Sequence, residues 1–420
     1  MNNTGPSQIQ KLIAKGVCIP NPDSVEIGPE VSVDRIAGKG VTLYSGCKLF
    51  GEHTLVLDGA KLGYEAPVTI ENCQIGPDVH LKGGFFRKSV FLKKASVGSG
   101  AQVREGTILE EEASCAHMVG LKQTILFPFV TLGSLINFCD CLMAGGTSRK
   151  DHSEVGSSYI HFNYTPNQDK ATASLIGDVA HGVMLNQQPI FLGGQGGLVG
   201  PCRLAFGTVI AAGTIYRKDE LKQGFLLFDG SSRSGKIQFT PGLYRSITRV
   251  VENNLIYLAN LMALRHWYGQ VRSKFSSVDF PIALHKGLVD TLDLAIKERE
   301  RRFTELCDKM PLSIELYQAA AGTNASPQLL NQKNELFHKK AEIIARMEHL
   351  LGFTGDPRVK DQFLELIDKG INEQGKDYLT VIQGVDRNDA EQGSQWLSSI
   401  VSGIMKKMSA LLPAFAFKSA

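Results

Sequence analysis

The sequence predicts a parallel β-helix of hexapeptide repeats followed by an α-helical C-terminal domain, and three observations carry that prediction. Before about residue 245, aliphatic residues followed by a small or acidic one recur every six positions. The 43 glycines crowd into the same stretch and thin out after it. Beyond it, apolar residues return at helical spacing among Lys and Glu.

The repeat is read directly. Ile27-Gly28 is followed by Val33-Asp34, Ile75-Gly76 by Leu81, Val97-Gly98 by Val103 and Leu109-Glu110, and Leu204-Ala205 by Ile210-Ala211. Four residues after each aliphatic stands a smaller one: Val31, Val79, Ala101, Ala113, Thr208, Thr214. A period of six fits a solenoid in which each hexapeptide makes one short strand and one turn, and stacked coils pair one another's edges. The change of period puts a boundary near Pro241-Gly242. The expected segments are a linker helix at 1–20, the β-helix at 21–240 and a helical domain at 245–420. In the last, Leu288, Leu292, Ala295, Phe303 and Leu306 form one apolar stripe. Phe337, Ala341, Ile344 and Leu351 form a second, and Leu397, Ile400, Ile404, Met408 and Leu411 a third.

Composition narrows the function. The 420 residues suit two or three domains, and 43% hydrophobic content supplies a core. With 45 Lys and Arg against 42 Asp and Glu, the net charge of +3 leaves no basic footprint for nucleic acid. No apolar run reaches the ~18 residues of a membrane span, and the N-terminus lacks a signal-peptide core, so a cytoplasmic protein is expected. The eight cysteines show no CxxC spacing, hence no metal site and no disulfide framework; Cys139 and Cys141 read as two buried thiols on one strand face.

The repeat resembles the left-handed β-helix of hexapeptide-repeat acyltransferases, in which three hexapeptides make one triangular coil of eighteen residues. Arg104, Lys122 and Asp140 lie eighteen apart and so are expected to stack on one face, about 5 Å from neighbour to neighbour. Stacked cations repel, so either water fills an exposed ladder or an anion such as a phosphate lies against it.

Particular segments sharpen the resemblance. Lys11 to Val17 with Asn21-Pro22, Asn163-Tyr164 through Lys170 to Ile176-Gly177-Asp178, Phe191 to Pro201, and Ile210 to Thr214 follow in order. They resemble the linker helix and acyltransferase motifs of the bifunctional N-acetylglucosamine-1-phosphate uridylyltransferase/glucosamine-1-phosphate acetyltransferase family, whose product chemistry leads to UDP-N-acetylglucosamine. The likeness starts at the linker, so the uridylyltransferase half is expected to be missing. It implies acetyl-CoA as acyl donor, an amino-sugar phosphate as substrate and a homotrimer with sites between subunits. It places sugar-phosphate contacts on Arg104, Lys122 and Lys170, with Asp140 beside them, and substrate contacts on Asn163 and Tyr164. Gly194, Gly200 and Ala212 fall along the acyl-donor channel, where small residues leave room for a pantetheine arm.

Two departures bear on chemistry. The family's general-base His corresponds to Ser134 in Gly133-Ser134-Leu135-Ile136-Asn137-Phe138-Cys139-Asp140, its sugar-binding Tyr to Asn137 and a family Asn to Glu154. A serine hydroxyl cannot take a proton from an ammonium without a base of its own. An insertion, Gly145 to His152, reads as a polar loop carrying Arg149, Lys150 and His152; a second runs from Met184 to Ile190. His152, flanked by Asp151, is the first candidate for a replacement base, His161 the second and His117 the third.

The stretch Leu142 to Lys150 also resembles the Gly-rich phosphate loop of sugar nucleotidyltransferases, although that loop belongs after the first strand of a doubly wound domain. Two classes therefore stand: a CoA-dependent N-acyltransferase, and a sugar-phosphate or sugar-nucleotide binding scaffold without catalysis. Nucleotidyl transfer is a weaker third.

Overall fold

The computed structural model describes residues 7–228 and 239–417. The start of the expected linker and the end of the expected β-helix segment, at 229–238, lie outside the described residues. A β-solenoid of about eleven turns with parallel sheets is followed by helices from about 248 to 411.

Each coil lays down short strands on three faces. In one coil these are Ala101–Val103 on the first face, Thr107–Leu109 on the second and Ser114–Cys115 on the third. Every neighbouring pair is parallel: Gln102 pairs with Gly120, Ile108 with Ile125, and Ser114 with Thr131. In-pointing side chains from successive coils fill the interior, so Val31, Val79, Ala101, Ala113, Thr208 and Thr214 are all buried as the repeat requires. At the edges between faces single residues take the left-handed conformation, among them Met118, Leu135 and Asp140 with φ near 60°. Gly213 holds a comparable position with φ of 76°.

The coil is not a uniform eighteen. Gly120 pairs with Asn137, seventeen on, so Lys122 faces Cys139 and Asp140 sits over Gln123 at the next edge. The expected three-charge stack therefore ends at Lys122. The left-handed turn at Asp140 also separates the two thiols: Cys139 is partly exposed on the first face, while Cys141 is buried on the second. Three excursions interrupt the later coils. One is a hairpin of Gly146–Ser148 with Asp151–His152; the second is the loop 163–173; the third runs from 177 to 190 and includes a short helix, α2 (Val179–Gly182).

Helix α1 (Gln8–Lys15) covers the first coil with Leu12 buried; its Ser7 and Gln10 form a reciprocal capping box. The helical region comprises α3 (Thr248–His266), α4 (Ile282–Asp308), α5 (Met310–Ala321), α6 (Pro327–His338), α7 (Lys340–Leu350), α8 (Pro357–Gln374), α9 (Tyr378–Gln383) and α10 (Arg387–Leu411), with α2 (Val179–Gly182) reaching it from the solenoid. The stripes expected on α4 and α10 are buried. On α6 and α7 the buried line is Leu336, Ile343, Met347 and Leu350, one residue off the expected stripe. The helix breaks at Lys339, yet the line keeps its phase across the break, and Phe337, Ile344 and Leu351 lie partly buried at its margin.

The helices lie on the second face of the solenoid. Asn260 Oδ1 accepts from the Val179 amide, Asn254 Nδ2 donates to the Ala171 carbonyl, and Tyr268 Oη donates to Glu110 at 2.5 Å. Arg272 clamps both carboxylate oxygens of Glu111 and lies 3.7 Å from the Tyr378 ring.

Candidate functional site

The solenoid distributes the residues singled out from sequence over its three edges. On the edge between third and first faces, a ladder of amides fixes one column. Met118 N donates to Ser99 O, Leu135 N to His117 O, Ser158 N to Ser134 O, Gln195 N to Ser157 O and Gly213 N to Gly194 O, at 2.8–3.1 Å. His117, Ser134, Ser157, Gly194 and Ala212 thus stack on successive coils. The column beside it is small throughout: Gly98, Ala116, Gly133, Gly156, Gly193 and Ala211 follow the paired strand ends Val97 to Ile210. A side chain at Gly193 would come within 2.3 Å of the Ala212 amide, and one at Gly156 within 2.4 Å of that of Gly194. The coils close so tightly here that only glycine keeps the edge flush. Ser134 Oγ lies 2.9 Å from His117 Nδ1, and Ser157 Oγ accepts from the Ser134 amide.

Gly200 does not share this edge. It is buried before the cis bond to Pro201, and a Cβ there would meet Thr172 O at 1.9 Å and His161 Nε2 at 3.0 Å. It is a packing glycine, not a channel wall.

The edge between first and second faces carries the cations. Phe86 pairs with Val103 and Val103 with Leu121, which puts Arg87, Arg104 and Lys122 on successive coils. Lys122 Nζ meets Glu105 at 2.7 Å and Arg87 reaches Glu71 at 3.7 Å, while Arg104 lies 5.4 Å over the Phe85 ring. Arg87 and Glu105 were not singled out; the seventeen-residue step to Arg104 hides Arg87 from a count of eighteen. Burial pushes the Cys139 thiol up to about 11, Asp140 adds to the rise, and Lys170, Lys122 and Arg299 oppose it. Lys122 stands beside Cys139 in the strand register, and Arg299 ties Asp140, the next residue, to the Lys170 carbonyl, so both lysines belong to this edge.

Loop 163–173 leaves the solenoid at this edge. Lys170 Nζ stands 4.4 Å over the ring of Tyr164, which is exposed. Asp140 and Asn163, expected at the substrate, serve the loop instead. Asp140 is buried, accepts Asn163 Nδ2 at 2.8 Å on one oxygen and Arg299 of α4 at 2.6 Å on the other. Arg299 also donates to the Lys170 carbonyl, and Tyr244 Oη to Asp169. The helical region thus holds Lys170 and Tyr164 in place.

Neither first-choice histidine fits a base. Both nitrogens of His161 are engaged, Nδ1 with the Cys139 carbonyl at 2.5 Å and Nε2 with Ser174 Oγ at 2.7 Å. Burial lowers its pKa to about 4, so it is a neutral core imidazole. His152 lies in the hairpin on the third edge, between second and third faces, away from Ser134. Its Nε2 is 3.9 Å from Glu154, and Asp151, expected to orient it, instead accepts from Thr147 Oγ1 at 2.9 Å. The glycines beside it form no phosphate cradle either: the Gly146 amide is bonded to Gln187 O at 3.0 Å, and a Cβ on Gly146 would strike His152.

A parallel solenoid with a flush small-residue edge and a cationic edge defines the hexapeptide-repeat β-helix class. No family model matches the chain. Among curated proteins its relatives are bifunctional GlmU proteins. It is 27% identical over 212 residues to that of Lawsonia intracellularis, covering 50% of this chain and 41% of the relative. To that of Fervidobacterium nodosum it is 28% identical over 211 residues, again 50% and 41%, and to that of Thermotoga maritima 26% over 213, 50% and 42%. The match spans about two fifths of those proteins' length. Among the described residues, no helix is long and apolar enough to cross a membrane.

Proposed function

We propose that the chain is an acyltransferase that moves the acetyl group of acetyl-CoA to the amine of an amino-sugar phosphate such as glucosamine 1-phosphate. The observation that carries this reading is the edge that stacks Arg104 on Lys122 and to which Arg299 ties Lys170, itself lying over the exposed Tyr164 ring: a cationic corner with a sugar-sized flat wall. The relation to GlmU proteins, whose motifs the same residues match, supports it.

The flush edge of Gly193, Gly194 and Ala212 suits a pantetheine arm. The amine attacks the thioester carbonyl carbon, the C–N bond forms, and the C–S bond breaks to release a thiolate, which takes up a proton. The amine's own proton must leave. Ser134 accepts it while passing its hydroxyl proton to His117 Nδ1, which makes His117 the base that Ser134 alone cannot be.

The cations and the Ser134–His117 pair sit on different edges with the first face between them, so one substrate reaches both only across a subunit boundary. Exposed Met118, Leu135, Ile160, Phe162 and Ile215 offer the apolar surface for such a boundary, and a homotrimer is the assembly proposed. The eight free thiols suit the reducing cytoplasm.

Thiol release from acetyl-CoA in the presence of glucosamine 1-phosphate tests this, with acetylated amine expected in equal amount. A second reading, a sugar-phosphate binding scaffold, is favoured by the serine at position 134. It prevails if the sugar phosphate binds and no thiol is released.

A further inference from the structure

The hairpin on the third edge carries charge that acyl transfer does not use. Between it, the coils around Lys93 and Glu112, and the helical region lies a cleft of about 860 Å³. Six cations line it: Lys93, Lys94, Arg149, Lys150, Arg272 and Lys376. Its four carboxylates are already matched. Glu111 is clamped by Arg272, Glu112 lies 3.7 Å from Lys94, and Asp279 and Asp377 stand 2.7 and 3.8 Å from Lys93. Among the described residues, Arg149, Lys150 and Lys376 have no carboxylate partner. Two of them are held in place without being neutralised. The Arg149 guanidinium donates to the carbonyls of Glu112 and Phe129 and to Thr131 Oγ1 at 2.7–3.1 Å, and Lys376 Nζ donates to Ser276 O at 2.8 Å. In the same wall Arg272 Nε is buried with no acceptor. Arg149 and Lys150 come from the hairpin and Lys376 from the helical side, so the charges enclose the cleft from two directions.

We propose that this cleft binds a small molecule carrying a diphosphate group. Six cations against four carboxylates leave a net charge of +2, and the three cations without a carboxylate partner stand on two facing walls, so a ligand with two linked phosphoryl groups reaches both walls where a single phosphate reaches one. Ser148 and Ser277, whose oxygens accept from the Lys150 and Phe280 amides, add hydroxyl donors to the wall. The site lies on another edge from the Lys122 corner and does not depend on acyl transfer.

The test is calorimetry on the full chain with inorganic pyrophosphate and with ADP. At least one is expected to bind, and Lys150→Glu with Lys376→Glu, both at exposed positions, is expected to weaken binding about a hundred-fold or more. Lys122→Ala should leave it unchanged. Lys150→Gln with Lys376→Gln, which removes charge without reversing it, should show a smaller loss in the same direction. Tighter binding of ADP than of pyrophosphate would identify a nucleotide, and equal binding a bare diphosphate; either supports the site. Binding of neither probe at millimolar concentration overturns the proposal. So does a loss that follows Lys122→Ala and not the cleft lysines.

Discussion

Ser134 Oγ and His117 Nδ1, seventeen residues apart in sequence, lie 2.9 Å apart because each stands at the same place on successive coils. If this pair carries the proton, His117→Gln lowers kcat by about 10²–10⁴-fold with sugar-phosphate affinity little changed. Ser134→His supplies an imidazole at the substrate side of the pair and should retain or raise the rate. Steady-state kinetics of thiol release give both answers, and full activity in His117→Gln would remove the histidine from the reaction.

Lys122 stands half-exposed at the cationic corner, so Lys122→Ala should weaken glucosamine 1-phosphate binding about ten- to a hundred-fold without unfolding the solenoid. Titration calorimetry reads this directly. Unchanged affinity would leave Arg87, Arg104 and Lys122 as a solvated row of charges.

Assembly is checked by light scattering, which should report three times 45.8 kDa at micromolar concentration. Phe162→Glu, on the apolar part of the first face, should lower the mass towards one chain. A wild-type monomer would count against a site shared between subunits.

The ion pairs of α4 differ in worth by burial. Arg299, 3% exposed, leaves Asp140 buried and unpaired when removed, so Arg299→Ala should cost about 3–5 kcal/mol. Arg301, at 52% exposure, binds Glu298 and Glu305 in solvent, and Arg301→Ala should cost at most about 1 kcal/mol. Urea unfolding of the two variants tests the contrast.

Glu110 makes stability depend on pH. Burial raises its pKa from 4.5 to about 7, with Glu111 adding to the rise and Arg272 and Tyr268 opposing it. The folded state thus holds a proton that the unfolded chain releases. The stability this contributes is complete below about pH 4.5 and is lost as pH rises through about 7, a change on the order of 3 kcal/mol. Glu110→Gln should flatten that part of the profile and be the more stable protein at pH 8. Melting temperatures at pH 5 and pH 8 decide it, and an equal decline in both proteins would assign the dependence to other groups.

The solenoid was legible because each coil must point an aliphatic and a small residue inward at every hexapeptide, and those residues cannot vary freely. Register was not legible to the residue. The edge between Leu121 and Ile125 is one residue shorter than that between Val103 and Ile108, so the next coil steps by seventeen, which moves Asp140 from the cationic column to a buried pair and brings Cys139 beside Lys122. The helices were legible from their apolar stripes, but their partner was not. Arg299 looks like a solvent-facing residue of an amphipathic helix and Arg272 like a surface cation in the short turn beyond α3, and only the solenoid's Asp140 and Glu111 explain their burial. Nothing in the sequence joins His117 to Ser134, since the two meet only between coils.

A solenoid touches itself only from one coil to the next, so each turn would open and close on its own, and the ends would fray first. The helices on the second face change that. They grip the chain at Gln74, Glu110, Asp140, Ala171 and Pro201, points spread over many coils, like a splint laid along a spring. Opening one coil then strains its neighbours through the splint, and amide exchange along the second face should slow to a common rate set by global unfolding. The first and third faces, lacking that brace, would keep a gradient from the middle to the ends.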